Sequence, residues 1–255
     1  MPALHLSIVS HLQEALVSVL LGDLARLGGT GEMKITVTSN VPEAAPMVPR
    51  ELLGAVHHVR NERPLGFGAN HNRAFARVEA PFFCVMNPDL RIASDPFPEL
   101  LAAFADPGVG LAAPAAVDSA GALQDNARRL PTPLKVVSRL WSGRAPDYSA
   151  DCAPGARAVS VDLVAGFFML FRSSSFKALG GFDERYFLYY EDIDLCCRLR
   201  LSGQSIGWVP RARIVHDARR TSHRNPRYFA WHAASILRFF SSPVYRSARL
   251  LSQRR

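Results

Sequence analysis

Apolar and polar positions along this chain switch repeatedly between the two-residue spacing of strands and the 3.6-residue spacing of helices. Leu4–Ser10 and Met33–Thr38 read as strands around an amphipathic helix over Leu12–Leu27. Val56–Arg60 is a third strand, Gly68–Val78 a second helix, and Pro81–Met86 a continuous apolar run of the kind buried in a sheet. A helix near Pro96–Ala105 and a strand at Val109–Ala113 follow. Strands alternating with helices predict an α/β layer structure, with a largely parallel sheet covered on both faces. Ligands of such sheets sit beyond the carboxyl ends of the strands, where Ser39-Asn40 and Asn87-Pro88-Asp89 fall.

The second half is less regular. Arg128–Tyr148 carries Pro and Arg and reads as a loop with one short helix. Val159–Val164 and Phe167–Phe171 predict strands, Glu191–Ser202 a helix, Ser205–Val209 and Arg213–His216 two further strands, and Asn225–Arg255 one or two helices. Neither an internal repeat nor a low-complexity segment is present.

With 255 residues, 48% hydrophobic and 20% charged, the chain suits one globular domain or two fused halves. Its net charge of +8 favours an anionic partner: nucleic acid, anionic lipid or a phosphorylated substrate. The start has no basic lead and holds Glu14 and Asp23, unlike a signal peptide. The apolar run Leu163–Phe171 is too short to span a bilayer. Cys84, Cys152, Cys196 and Cys197 show neither metal nor disulfide spacing, so a reduced, cytoplasmic protein is expected.

Five features carry candidate chemistry. Glu191, Asp192 and Asp194 open a predicted helix, directly after Tyr186, Phe187, Tyr189 and Tyr190. A helix start welcomes acids, but a cap takes one carboxylate. Three beside a wall of aromatics suggest a sugar-stacking surface with a general base. The loop from Asn61 through Gly66 and Gly68 to Asn72 opens a helix whose backbone N–H groups could meet a phosphate, or it is a plain turn. His71 stands where the dinucleotide fingerprint needs its third glycine. Asp89, at the end of an apolar strand, could hold a divalent ion against a diphosphate, though Asn-Pro-Asp is also an ordinary turn. His216 ends another strand and could be a metal ligand or a partly exposed polar residue. Arg219, Arg220, Arg224 and Arg227 form a basic run that reads first as a solvated face.

Gly180-Gly181-Phe182-Asp183-Glu184, followed by Tyr189-Tyr190-Glu191-Asp192-Ile193-Asp194-Leu195, resembles the acceptor-side signature of family 2 inverting glycosyltransferases, in particular bacterial rhamnosyltransferase-like members. The Asn61–Asn72 loop and Asn87-Pro88-Asp89 resemble that family in spacing. The resemblance covers Leu4 to about Phe240. It implies a GT-A fold: a Rossmann-like three-layer sandwich with a mixed central sheet and a C-terminal helical tail. The expected parts are a nucleotide-sugar half over residues 1–115, an acceptor and catalytic half over 116–222, and a tail over 223–255.

The resemblance also implies roles. Asp192 is the expected base, with Gly166, Tyr190 and Glu191 at the acceptor. Asn40, Asn61, Gly66, Gly68, Asn72, Asn87, Asp89 and Arg220 are expected at the nucleotide sugar. Asp89 and His216 would hold Mg²⁺ or Mn²⁺. Asn87 replaces the first aspartate of the family's Asp-x-Asp, and Ser10-His11 stands where relatives have an aromatic residue and Asn. Glu191 and Asp194 are expected to hold acceptor or helix geometry, and Asp183 and Glu184 to be structural. A dTDP- or UDP-sugar is the expected donor, with dTDP-L-rhamnose favoured by Trp231-His232 and Arg238-Phe239-Phe240 and galactofuranose open. The expected acceptor is a glycan or lipid-linked polysaccharide at the cytoplasmic face of the inner membrane. Trp231, Leu237, Phe239 and Phe240, with Arg238, Arg246 and Arg249, could lay the tail on anionic lipid or pack it on its own domain. A non-catalytic phosphate- or nucleic-acid-binding module explains the charge but not the acidic cluster, and no nucleic acid partner is expected. An inactive transferase is the third alternative. Oligomeric state stays open.

Overall fold

A computed structural model describes residues 3–28, 33–134, 136, 157–216 and 226–253. The first half runs β1 (Leu4–Ser10), α1 (Glu14–Arg26), β2 (Met33–Ser39), β3 (Val56–Arg60), α2 (Phe67–Phe75), β4 (Phe82–Met86), β5 (Leu90–Arg91), α3 (Phe97–Ala103) and β6 (Val109–Val117). The second half adds β7 (Ala127–Arg128), β8 (Val159–Val161), β9 (Leu163–Val164), β10 (Phe168–Arg172), α4 (Ser173–Ala178), α5 (Glu191–Leu201), β11 (Ser205–His216), α6 (Pro226–Ser241) and α7 (Pro243–Gln253).

Among the described residues, nine strands form one sheet in the order β3-β2-β1-β4-β10-β6-β11-β5, with β8 also paired to β11. Strands β3, β2, β1 and β4 are mutually parallel. Strand β10 then runs antiparallel to both β4 and β6, and β11 is parallel to β6. The expected mixed sheet is therefore present, and the largely parallel sheet inferred from strand–helix alternation holds only for the first four strands. Helices cover both faces. Helices α1 and α3 close one face over Leu6, Ile8, Leu20, Leu24 and Leu100. The other face buries Phe83, Phe171, Phe176, Leu195 and Phe239 under α4, α5 and the tail.

This topology sets the site. The carboxyl ends of β1, β2, β4, β6 and β11 and the start of β10 share one edge of the sheet. Pairing of β5 with β11 aligns His216 with Leu90, so Asp89 lies beside His216. Buried Asp23 of α1 pins β5 from below: it accepts hydrogen bonds from Arg91 Nε at 2.7 Å and Ile92 N at 2.9 Å. Burial opposes ionisation of Asp23, yet the bonds from Arg91 and Ile92 outweigh it and hold the carboxyl below its usual range.

The tail packs on the second half of the chain. Phe239 is fully buried, with ring contacts to Tyr190 at 5.4 Å and Tyr245 at 5.3 Å. Ser235 Oγ donates to Leu188 O at 2.9 Å. Of the two readings of these residues, packing on the chain's own domain holds for Phe239, which lies in the core, while Trp231 and Phe240 are half-buried, Trp231 against Phe187 at 4.6 Å. Leu237 does point outward, joined by Phe229 and Leu250. The aromatic wall is corrected. Tyr186 and Tyr190 are buried and, with Tyr189, anchor the tail rather than offering faces to a sugar.

Candidate active site

Asp192 sits in the first turn of α5, whose entry is unusual. Tyr189 and Tyr190 both lie in the left-handed region, at φ of 70° and 69°. Two adjacent non-glycine residues there carry backbone strain, which the dense tyrosine packing against α6 holds in place. The strained entry turns the first helical residues toward Gly166. Asp192 Oδ2 accepts from Gly166 N at 2.9 Å and Oδ1 from Ile193 N at 2.8 Å, which fixes the carboxylate plane. A side chain at Gly166 would crowd it, since a Cβ there would lie 3.1 Å from Asp192 Cβ. Burial lifts the Asp192 carboxyl above its usual range, against the two N–H bonds and the Arg128 charge. Glu191 is buried, with Oε2 unbonded among the described residues; burial and the Asp192 charge push its carboxyl well up. Asp194 instead binds Arg198 Nε at 2.7 Å, and Arg198 in turn donates to the carbonyls of Leu179 and Gly181. The pair ties the start of α5 to the Leu179–Gly181 backbone.

The second centre lies one residue along the chain from the first. Phe167 O accepts from Asn87 N at 2.8 Å, and the Phe167 ring stacks on His216 at 4.1 Å. His216 Nε2 stands 3.7 Å from Asp89 Oδ2. Asp89 Oδ1 is buried with no hydrogen-bond partner among the described residues. Charge-assisted hydrogen bonds close to about 2.7–2.9 Å, so this pair is spaced too widely for one. Metal–oxygen bonds to Mg²⁺ are about 2.0–2.1 Å, so both atoms lie within reach of one such ion. An orphaned carboxylate oxygen and a nearby ring nitrogen fit a divalent cation. The described residues hold no group of three or more His, Cys, Asp or Glu arranged for a metal, so a cation here would need further oxygens from its ligand.

The predicted nucleotide side divides in two. Asn40 and Asn61 meet at the ends of β2 and β3. Asn40 Oδ1 accepts from Asn61 Nδ2 at 2.9 Å and Leu65 N at 2.8 Å, and Asn61 Nδ2 also reaches Asn70 Oδ1 at 2.7 Å. These amides shape the loop over residues 61–66. Gly66, Gly68 and Asn72 face elsewhere. Cβ atoms at Gly66 and Gly68 would lie 2.7 Å from Phe187 O and 2.5 Å from Phe182 Cβ. Phe67 N, the first free donor of α2, is taken by Phe187 O at 2.9 Å. Asn72 clasps the Phe182 backbone in both directions, at 2.9 Å each, and reaches Glu184 at 3.0 Å. These three residues weld α2 to the Gly181–Phe187 segment, which corrects the reading of a phosphate cradle at this helix start. Ser10 Oγ donates to Glu43 and accepts from Gln13 N, so it closes the turn into α1. Arg220, with Arg219 and Arg224, lies outside the described residues.

Sequence reasoning missed the segment that joins the centres. Gln124, Asp125 and Asn126 follow a tight turn in which Asp118 Oδ1 accepts from Ala120 N and Ala122 N. Gln124 reaches His216, and Arg128 faces Asp192. A run of amide and acid side chains straight after a Gly-bearing turn was the available signal.

Comparisons with known proteins bear on the family and the fold. A family model described as "Glycosyltransferase like family 2" matches residues 29–238. The N-acetylglucosaminyl-diphospho-decaprenol L-rhamnosyltransferase of Mycobacterium tuberculosis is 30% identical over 231 residues, 82% of this chain and 69% of that protein. Rhamnosyltransferase WbbL of Escherichia coli K12 is 42% identical over 98 residues, 37% of this chain, and the match spans 34% of WbbL. Among solved structures, a mannosyltransferase of Pyrobaculum calidifontis, in complex with GDP-Man and Mn²⁺, superposes with a TM-score of 0.62 at 14% identity, over 97% of this chain and 68% of that one. GalNAc-T7, with UDP, GalNAc and Mn²⁺, gives 0.62 at 15% identity over 84% and 43%. The last two likenesses concern the fold, which is that of GT-A glycosyltransferases.

Proposed function

The chain belongs to the glycosyltransferase-like family 2, and we propose that it is an inverting hexosyltransferase that moves L-rhamnose from dTDP-L-rhamnose to a hydroxyl of a lipid-linked cell-surface polysaccharide. One observation carries the reading: the dipeptide Gly166-Phe167 holds the Asp192 carboxylate by its first N–H and stacks on His216 by its second side chain. A base and a cation-ready pair are thereby built into neighbouring residues. The two rhamnosyltransferase relatives support the sugar; a galactofuranosyl or other hexosyl donor is the alternative within the same chemistry.

In the proposed reaction the nucleotide lies over the ends of β1, β2 and β3, among Asn40, Asn61 and the neighbouring backbone. Asn87 and Asp89 face its diphosphate. Asp89 and His216 would hold Mg²⁺ or Mn²⁺, and the chemistry such an ion supplies when bound is neutralisation of charge building on the leaving diphosphate. Asp192 accepts the proton of the acceptor hydroxyl as its oxygen forms the new bond to the anomeric carbon. The bond from that carbon to the diphosphate oxygen breaks, and its electron pair leaves with the nucleoside diphosphate. A base of raised pKa suits this step, because proton transfer is best driven when donor and acceptor are near matched. Burial and the Asp192 charge push the Glu191 carboxyl well up, which disfavours a second negative charge beside the base.

For the tail we infer peripheral docking on an anionic leaflet at the cytoplasmic face, which would bring the lipid-linked acceptor to the acceptor half. The described residues include no helix long and apolar enough to cross a membrane. The exposed Phe229, Leu237 and Leu250 lie among exposed Arg238, Arg246 and Arg249. The direct test is donor hydrolysis across a panel of nucleotide sugars, with and without Mn²⁺. Turnover of dTDP-L-rhamnose above all others is expected; preferential turnover of a different donor would replace the sugar assignment.

A further inference from the structure

Gln124 touches His216 at two points. Its side-chain Nε2 lies 2.6 Å from the His216 carbonyl oxygen, and its Oε1 lies 3.2 Å from the ring Nδ1. The carbonyl can only accept, so the amide nitrogen must face it. The orientation of the amide is thereby settled by chemistry, and its oxygen faces the ring. An amide oxygen can only accept as well, so Nδ1 must carry the hydrogen. In neutral imidazole the other nitrogen is then bare. That bare Nε2 is the atom 3.7 Å from Asp89 Oδ2.

Gln124 is itself held firmly. Its backbone N donates to Ala116 O at 2.8 Å and its carbonyl accepts from Asn126 N at 2.9 Å. Leu123 bridges to Val117, and the turn between them is closed by Asp118 and by Gly121 at φ +81°. The amide therefore projects from a rigid hairpin at the end of β6 onto the last residue of β11. The Phe167 ring fixes the imidazole from its face, at 4.1 Å.

We propose that Gln124 is the positioning residue of the Asp89–His216 pair: it sets the His216 tautomer and ring orientation so that a bare nitrogen faces Asp89, ready for a divalent cation. The proposal rests on the reading of that pair as a metal site. Outer partners of ligating histidines commonly fix the tautomer in this way, and their loss costs about 10–100-fold in metal affinity.

The test compares wild type, Gln124→Leu and Gln124→Glu. Nitrogen NMR of the His216 ring in metal-free protein reads the tautomer. Pulsed EPR of Mn²⁺ with dTDP reads imidazole-nitrogen coupling, and calorimetry reads Mn²⁺ affinity in the presence of dTDP. Wild type is expected to show the Nδ1–H tautomer and a nitrogen coupling. Gln124→Leu is expected to lose the single tautomer, weaken Mn²⁺ by about 10–100-fold and diminish the coupling. Gln124→Glu still accepts from Nδ1 but gives up the donor to the His216 carbonyl, so a kept tautomer and coupling there would show that acceptance at Nδ1 suffices. Retention of tautomer, coupling and affinity in the Leu variant would overturn the proposal. Absence of nitrogen coupling in wild type would overturn the metal reading and the proposal with it, an outcome distinct from failure of Gln124 alone.

Discussion

At the scale of single residues, ion pairing separates the acids of the cluster. Asp183 pairs with Arg185 and Asp194 with Arg198, whereas Asp192 takes only backbone donors and Glu191 has an unbonded oxygen among the described residues. Four acids that look alike in sequence thus divide into two with an arginine partner and two without one. The cluster was legible because acids and tyrosines are adjacent in the chain. Its division was legible only in part: Arg185 and Arg198 lie two and four residues from their acids, whereas Gly166 meets Asp192 only through folding. Glu191 gives a prediction. Its folded pKa is raised by burial and by Asp192, so the native state binds its proton more tightly than the unfolded chain does. The stability this contributes is complete below the ordinary carboxylate range and is lost as pH rises through the folded value. Glu191→Gln does not titrate. Its melting temperature relative to wild type is expected to climb from about pH 4 to about pH 8. A difference that stays constant over that range in thermal melts would contradict the burial argument.

Among elements, those with a period or a long apolar run were readable, and those made only by pairing were not. The sequence places β1 and β3 at their observed ends and brackets the helical tail, whose division at Ser242 it left open. Strand β5 has two residues and exists because β11 pairs with it, yet it brings Asp89 to His216. The single strand expected over Val159–Val164 divides at Asp162, which turns aside to bind Arg200 at 2.8 Å. The two strands expected before and after Pro210 are one, β11, with a register shift between Val209 and Arg213 where it pairs with β6. Helix α4 is too short to show a period. The tail tests this scale. Phe239 is fully buried between α5's entry and α7. Phe239→Ala is expected to cost about 3–5 kcal/mol in urea unfolding, the usual range for a buried Phe. A cost below about 1 kcal/mol would mean that α6 is not part of the core.

For the whole molecule, the expected α/β sandwich with a mixed sheet and helical tail is the fold observed. The nucleotide side was less legible: Gly66, Gly68 and Asn72 form a recognisable string whose task, packing α2 against the Phe182–Phe187 segment, is set by a partner far along the chain. The tail's outward face predicts behaviour at this scale. Each basic residue near an anionic bilayer contributes about 1 kcal/mol. The protein is expected to float with anionic vesicles at low salt, and to be released by high salt or by Arg246→Glu with Arg249→Glu. Recovery in the soluble fraction at low salt would remove membrane docking and leave the transfer chemistry standing.

The central claim is that Asp192, set by Gly166, is the base of a metal-assisted transfer. The most direct measurement is turnover of the preferred nucleotide sugar by wild type and Asp192→Asn, with nucleotide affinity measured alongside by calorimetry. The amide keeps the shape and cannot take the proton. Turnover is expected to fall by about 10²–10⁴-fold with nucleotide affinity nearly unchanged. Near-normal turnover by Asp192→Asn would contradict the account.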